Sequence, residues 1–183
     1  MSVKILALVG SLRSGSHNQQ LAEATRQHAP AEVEIEIFEG LGDVPFYNED
    51  IDTESSVPAA AAELRTAAER ADALLLFSPE YNGTMPAVLN NAIDWLSRPF
   101  GAGALKGKPT AVIGTAFGQY GGVWAQDEAR KSAGVAGAQI IEDVKLSIPG
   151  SMTRFAELHP ADDTEVVEQV TEVIGKLAAN AAA

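Results

Sequence analysis

The chain has 183 residues, of which 46% are hydrophobic and 21% are charged, and these values are typical of a globular protein. Its formal net charge of −12 argues against nucleic acid or an anionic membrane surface as a partner. Cysteine is absent, which excludes disulfides, thiol catalysis and iron–sulfur ligation.

Five strands are predicted from short apolar runs. Nearly continuous apolar runs are typical of strands buried on both faces, as in a parallel sheet covered by helices. The second run, VEIEIF, alternates between apolar and charged residues instead, which suits a strand at the edge of the sheet. In chain order the predicted strands are Val3–Val9, Val33–Phe38, Leu74–Phe77, Thr110–Ile113 and a weaker run at Ala138–Ile141.

Helices are predicted between and after the strands, mostly from apolar residues at helical spacing. They are His17–His28, Pro58–Arg70, Pro86–Leu96, Gly121–Ala133 and Asp163–Leu177. Alternation of strand and helix predicts one three-layer α/β domain over residues 1–183. Right-handed crossovers then favour five parallel strands in the order 2-1-3-4-5. The longest irregular stretch, Gly40–Val57, is predicted to be functional or mobile.

A ligand site is expected where the winding of such a sheet reverses, between its first and third strands. A crevice opens there, outside the carboxyl ends of the strands. Three loops are therefore candidates: Gly10–Asn18 after the first strand, Ser78–Pro86 after the third, and Gly114–Gly122 after the fourth.

The first candidate loop contains GSLRSGSHN. Ser11, Ser16 and Asn18 can donate neutral hydrogen bonds, Arg13 adds positive charge, and the following helix offers free backbone N–H groups. Such a concave set of donors suits a phosphate dianion. The pattern is neither a P-loop nor a dinucleotide-binding GxGxxG motif. The loop alone leaves two interpretations open, a phosphate site and a simple helix cap at Ser16 or Asn18.

The other two candidate loops are SPEYNGTMP and GTAFGQYGG. In the former, Tyr81 offers an aromatic face and Asn82 an amide, and Asn82-Gly83 can turn sharply. That loop can hold a planar ring or be a plain turn before a helix, and the neighbouring Glu80 favours the site. The latter has four glycines in nine residues, which allow either close approach to a ligand or a wide turn.

GSLRSGSHNQQL followed by SPEYNGTMPAVLNNAIDWLSRP resembles the NADPH-dependent FMN reductase family of flavodoxin-like proteins. That family includes FMN-containing quinone, chromate and azo reductases. The resemblance extends over most of the chain and includes VPFYNED at 44–50 and GTAFGQYGGVWAQ in the fourth loop. It implies a flavodoxin-like fold with FMN as cofactor and NAD(P)H as co-substrate.

The resemblance also implies the residues that bind FMN. Ser11, Arg13, Ser16 and Asn18 would bind its phosphate with Gln19 nearby; Pro79, Glu80, Tyr81, Asn82 and Gly83 would hold the isoalloxazine ring; and Thr115 and Ala116 would lie near its other edge. One departure is Ala116, since family members commonly carry serine there, and Phe117 and Tyr120 are bulkier than usual.

The implied activity is ping-pong transfer of reducing equivalents from NAD(P)H through FMN to a small-molecule acceptor: a quinone, an azo compound, chromate or free flavin. No catalytic side chain is assigned, because the flavin itself performs the redox chemistry. Three alternatives stay open: a flavodoxin-like electron carrier, a binding module that has lost FMN, and a reductase that uses FMN as a diffusible substrate.

Assembly and location are further expectations. The resemblance implies a homodimer or homotetramer, in which Trp95 lies either at the interface or in the core. No apolar run approaches the ~18 residues needed to span a bilayer, and the first residues show no signal-peptide pattern. A cytoplasmic protein without a membrane partner is therefore expected. The three histidines lack metal-ligand spacing, so no metal site is expected.

Overall fold

Five parallel strands form one sheet in the order β2-β1-β3-β4-β5 in the computed structural model, which describes residues 2–182. This confirms the predicted order and the reversal of winding between the first and third strands. The strands are β1 (Val3–Val9), β2 (Val33–Ile37), β3 (Ala73–Phe77), β4 (Pro109–Thr115) and β5 (Gln139–Ile148).

Helices follow each strand and cover both faces of the sheet. All five predicted helices are present with small shifts at their ends, and a short helix after β5 is additional because four residues are too few for a periodic pattern. They are α1 (His17–Gln27), α2 (Ala59–Arg70), α3 (Ala87–Leu96), α4 (Val123–Val135), α5 (Ser151–Arg154) and α6 (Thr164–Ala181). No helix within residues 2–182 is both long enough and apolar enough to cross a membrane.

The core has two halves, one on each face of the sheet. Ile5 and Ala7 of β1 pack with α1 and α6, whereas Leu6 and Leu8 pack with α2, α3 and α4. Side chains alternate between the faces of a strand, so a strand covered on both faces reads as an unbroken apolar run. At the edge, β2 buries its apolar residues and exposes its glutamates, as its alternation predicts.

Strand β5 is longer than predicted. The expected run stops at Ile141, but the strand continues to Ile148 along β4. Its pairing shifts register between Thr110 and Val112, and only Ile141, Val144 and Ile148 of β5 are buried. A bulge interrupts strict alternation, and an edge strand tolerates exposed charged residues, so the second half of β5 shows neither an unbroken apolar run nor a regular alternation.

The long segment 40–57 is anchored to the helices below it. Trp95 is fully buried, and its indole N–H donates to the Pro45 carbonyl at 2.7 Å. Arg65 lies over the Trp95 ring at 5.1 Å and forms a two-pronged ion pair with Asp52 at 2.7 and 2.8 Å. Hydrogen bonds from Arg65 lower the pKa of the Asp52 carboxyl below its ordinary value. Of the two interpretations of Trp95, the structure therefore shows the core residue.

Candidate functional site

The three candidate loops start side by side at the carboxyl edge of the sheet. The Gly10 N–H donates to the Phe77 carbonyl at 2.8 Å, and the Ser78 N–H donates to the Ile113 carbonyl at 2.9 Å. These bonds tie together the ends of β1, β3 and β4. We call the segments that follow these strands loop 1 (10–16), loop 3 (78–86) and loop 4 (116–122).

Loop 1 presents an unusual number of backbone donors. Ser16 caps α1, since its hydroxyl accepts the Gln19 N–H at 3.3 Å. Within residues 2–182, the N–H groups of 11–15, His17 and Asn18 have no acceptor. They cluster at the positive end of an 11-residue helix. Cap and anion site are therefore compatible, and this donor set suits a phosphate dianion.

The positive side chain of loop 1 is Arg13. It is exposed, and its guanidinium donates to the Ser14 carbonyl at 3.2 Å. Burial, and secondarily the nearby Arg13, lower the pKa of the His17 imidazole below its ordinary value, which favours the neutral ring. An anion in this loop would therefore meet one guanidinium and a set of neutral donors.

Asn18 is buried and joins α1 to β4. Its amide donates to the Thr115 carbonyl at 2.9 Å and accepts the Thr115 N–H at 3.0 Å. The Thr115 hydroxyl in turn donates to the Ile148 carbonyl at 2.8 Å. Both residues are thus committed to holding the loops together, and Asn18 keeps one amide hydrogen for a ligand.

The two remaining predicted residues, Ser11 and Gln19, differ in whether their side chains are free to bind a ligand. Ser11 is partly buried, and its hydroxyl makes no hydrogen bond within the part of the chain that the structure describes. Gln19, by contrast, donates its side-chain amide to Glu23 one turn later at 3.0 Å. Ser11 is therefore the better placed of the two for a bound anion.

Loop 3 contains a tight two-residue turn. Asn82 and Gly83 have φ of 55° and 76°, and Tyr81 and Thr84 exchange backbone hydrogen bonds at 3.0 and 3.1 Å. Two successive positive φ values define a type I′ turn, for which Asn-Gly is the favoured pair. The turn leaves the Tyr81 side chain 49% exposed, and the preceding Pro79 is buried.

Two carboxylates bind loop 3 and α4 to each other. Glu80 of loop 3 accepts the Ala125 N–H in the first turn of α4 at 3.2 Å. Glu128 of α4 accepts the Met85 N–H at 2.8 Å and the Thr84 hydroxyl. The ring contact predicted for Glu80 stays a prediction, and the structure shows that its carboxylate caps a helix. Glu128 was not predicted, because its partners lie about 43 residues earlier in the chain.

A pH-dependent stability difference is expected for Glu128→Gln. Hydrogen bonds from Thr84 and the Met85 backbone lower the pKa of the Glu128 carboxyl. A lowered native pKa adds stability above the unfolded-state pKa, and this stability is lost as pH falls through the native value. The wild type should exceed the variant by up to about 1 kcal/mol near neutral pH, since the group is exposed.

Urea unfolding at about pH 7 and about pH 3.5 measures this difference, and the other carboxylates cancel between the two proteins. A gap that stays constant or widens at the lower pH would contradict the assignment of the charge.

Loop 4 has less free backbone at its start than the sequence suggested. The Ala116 N–H donates to the Ile148 carbonyl at 3.2 Å, and the Ala116 carbonyl accepts the Ser151 N–H at 3.1 Å. With the Thr115 backbone bound by Asn18, the donors without an acceptor in residues 2–182 begin at Phe117 and continue to Tyr120. Which N–H groups of loop 4 lack an acceptor depends on the pairing of Ala116 with β5, which is distant in the chain. These donors could therefore not be predicted from the sequence.

A donor-lined helix start with one guanidinium lies beside a rigid turn that carries an exposed tyrosine. The residues fit a ligand that combines a phosphate with a planar ring, which is the make-up of FMN.

The chain is similar to known proteins over most of its length. The model of the NADPH-dependent FMN reductase family matches residues 3–153. A 2-hydroxy-1,4-benzoquinone reductase from Burkholderia sp is 44% identical over 130 residues, which are 71% of this chain and 69% of that protein. A quinone reductase from Pseudomonas putida is 43% identical over 128 residues, which are 70% of this chain and 68% of that protein.

Among solved structures, FerB, a flavoenzyme NAD(P)H:(acceptor) oxidoreductase from Paracoccus denitrificans, superposes with a TM-score of 0.86 at 28% identity. The superposition covers 98% of this chain and 97% of FerB. The family match spans most of the chain and includes loops 1, 3 and 4. The chain belongs to the NADPH-dependent FMN reductase family.

Proposed function

We propose that this protein is an FMN-dependent oxidoreductase that passes reducing equivalents from NAD(P)H to a small-molecule acceptor. The observation that carries the proposal is the junction of loop 1 and loop 3 at the reversal of the sheet, where a phosphate cradle meets a rigid aromatic turn. Quinones, azo compounds, chromate and free flavin are the acceptor classes to test. The named activities of the relatives support this reaction type.

Loop 1 is assigned the FMN phosphate. Its backbone N–H groups would surround the phosphate together with the hydroxyls of Ser11 and Ser16, and Arg13 would neutralise part of the charge. The spare amide hydrogen of Asn18 can reach the same ligand, and Gln19 lies nearby.

Loop 3 is assigned the isoalloxazine ring. Pro79 and the Glu80 cap hold the loop in place, so that Tyr81 and the N–H groups of Asn82 and Gly83 meet the ring without rearrangement. In loop 4, the Ala116 N–H and carbonyl are already hydrogen-bonded, so only its methyl group is available to contact the flavin. The N–H groups from Phe117 to Tyr120 would bind the other edge of the isoalloxazine ring.

The reaction balances without a catalytic acid or base from the protein. NAD(P)H, a quinone and one proton from water give NAD(P)⁺ and the hydroquinone. When bound, FMN supplies the two-electron relay between these two substrates. The chain's residues bind and orient it, and the half-exposed Tyr81 positions the ring rather than donating a proton.

The visible spectrum of the purified protein, followed by anaerobic addition of NADH or NADPH, tests the proposal. A flavin spectrum that bleaches with either nucleotide and returns with a quinone is the expected result. A colourless protein that takes up no FMN would contradict it. If neither nucleotide bleaches the bound flavin, the result favours an electron carrier. If the flavin is lost on gel filtration, the result favours FMN as a diffusible substrate.

Arg13→Ala is expected to weaken FMN binding about tenfold or more. A charge-assisted hydrogen bond to phosphate contributes about 1.5–3 kcal/mol, and the exposed position of Arg13 places the effect at the lower end. Titration of FMN fluorescence measures the Kd. Arg26→Ala is the matched control, because Arg26 is an exposed arginine at the other end of α1. Equal effects of the two substitutions on the Kd for FMN would contradict the assignment of the FMN phosphate to loop 1.

Assembly and location complete the proposal. We place the protein in the cytoplasm as a single FMN-binding domain that forms a homodimer or homotetramer. Family membership supports the assembly, and the cysteine-free composition is compatible with a reducing compartment. Equilibrium sedimentation measures the assembly, and a monomer at micromolar concentration would contradict it.

A further inference from the structure

Exposed apolar side chains concentrate at the carboxyl edge of the sheet. Ten large apolar residues within 2–182 are exposed, and seven of them lie between the end of a strand and the first turn of the helix after it. Large side chains exposed together mark binding surfaces more often than single ones do. The seven are Leu12, Phe46, Tyr81, Phe117, Tyr120, Trp124 and Met152.

Two of these residues form an aromatic pair. Tyr120, at the end of loop 4, and Trp124, in the first turn of α4, have ring centroids 5.4 Å apart at an interplanar angle of 52°. Each side chain is 56% exposed. Rings in contact with each other lose little further freedom when a ligand binds, so one ring of such a pair can stack on a planar molecule, and the other can contact its edge, at low entropic cost.

The backbone that carries the pair is held rigidly. Gln126 is fully buried; its amide donates to the Gly121 carbonyl at 3.1 Å and accepts the Ser147 hydroxyl at 2.8 Å. One residue after Trp124, the Ala125 N–H is bound by Glu80 of loop 3. The aromatic pair is thereby fixed next to the turn assigned to the flavin ring.

We propose that Tyr120 and Trp124 form a stacking surface for two-ring planar electron acceptors, and that they are specificity-determining residues of the reaction. This inference rests on the proposed function, because the surface matters only if electrons leave at the neighbouring site. The two side-chain rings are 5.4 Å apart and inclined at 52°, so a fused two-ring molecule stacked on one of them extends far enough to meet the other with its edge, whereas a single six-membered ring stacked on one reaches less of the other.

Charge supports an uncharged acceptor. The formal net charge is −12, and the side chains that follow Trp124 on the exposed face of α4 include Asp127 and Glu128. Negative charge one turn from Trp124 disfavours an anionic acceptor on the aromatic pair relative to a neutral one. A neutral naphthoquinone meets no such barrier and buries apolar area on the two rings.

Reoxidation of the NADPH-reduced holoenzyme in a stopped-flow instrument tests the proposal. The acceptors are 1,4-naphthoquinone, 1,4-benzoquinone and ferricyanide. In Tyr120→Ala/Trp124→Ala, the second-order rate constant for naphthoquinone should fall about fivefold to tenfold, and the constants for the other two should change less than about twofold. Phe100→Ala is the matched control, since Phe100 is an aromatic residue 94% exposed outside the three loops.

A second readout does not depend on turnover. Calorimetric titration of the holoenzyme with 1,4-naphthoquinone, in the absence of NAD(P)H, should give a Kd that rises by the same factor in the double variant. Sedimentation of the double variant should match that of the wild type.

Three results would overturn the inference. One is an equal loss for all three acceptors. Another is an effect of Phe100→Ala as large as that of the double variant. The third is dissociation of the assembly in the double variant, which would assign the aromatic pair to a contact with a second copy of the chain. Failure of the proposed function is distinguishable, because the flavin would then be absent or would not bleach with NADPH in the wild type.

Discussion

Gly114→Ala is expected to lower the free energy of unfolding by about 3 kcal/mol or more and to abolish retention of FMN. A Cβ atom at Gly114 would overlap the Ser78 carbonyl oxygen and lie 3.1 Å from Oδ1 of Asn18. The obstacle at Ser78 is backbone, so it cannot rotate away as a flexible side chain would. The ends of β3 and β4 would have to separate, and they are the base of loop 3 and loop 4.

Gly118→Ala is the matched control in the neighbouring loop 4. A Cβ atom at Gly118 would meet nothing within 4 Å. The substitution should leave stability unchanged or raise it slightly, because alanine restricts the unfolded chain. Urea unfolding and FMN titration of both variants measure the two effects. If the two alanines behave alike, the close contact of the strand ends is not what holds the site.

Asn18→Ala has the second-largest expected effect, a loss of about 2–4 kcal/mol of unfolding free energy. The substitution removes both partners of the Thr115 backbone, whose N–H and carbonyl are buried. Each buried polar group left without a partner costs about 1–3 kcal/mol. The start of α1 would also lose its attachment to β4, so FMN affinity should fall in parallel.

Asn18→Asp adds a negative charge to the loss of one hydrogen bond, so it tests whether an anion binds beside Asn18. Aspartate still accepts the Thr115 N–H but cannot donate to the Thr115 carbonyl, and it adds a negative charge where a phosphate is expected. Its carboxylate would be buried with one oxygen against the Thr115 carbonyl, so we expect a loss of stability at least as large as in Asn18→Ala and a larger loss of FMN affinity. Thermal unfolding and flavin titration measure the two quantities. If Asn18→Asp binds FMN as well as the wild type, the phosphate does not lie beside Asn18.

The order of elements could be predicted because buried positions recur with the period of a helix or a strand, and apolar residues in the sequence follow that period. The run VKILALV predicts a strand covered on both faces, and VEIEIF predicts an edge strand, as the structure shows. The second half of β5 shows no such apolar pattern. Glu142, Asp143 and Lys145 are exposed charged residues of an edge strand, and the register shift breaks the alternation that would have indicated a strand.

The meeting of the three loops at the reversal of the sheet could be predicted from topology together with local motifs. Ser16 as a cap and Asn82-Gly83 as a tight turn depend on neighbouring residues only, and both are confirmed. The remaining roles depend on contacts between distant parts of the chain. Asn18 meets Thr115 across 97 residues, and Glu80 meets Ala125 across 45.

Local patterning by itself determined the strands, the helices and the three loops at the reversal of the sheet, because backbone geometry and burial impose short-range periodicity on the chain. Only the tertiary structure decided which polar groups remain free for a ligand. Asn18, Thr115 and Ala116 are largely occupied by the fold, whereas the N–H groups of 11–15 and 117–120 find no acceptor within residues 2–182. A donor is available only when no other part of the fold satisfies it, and that follows from the packing of strands and helices far apart in sequence.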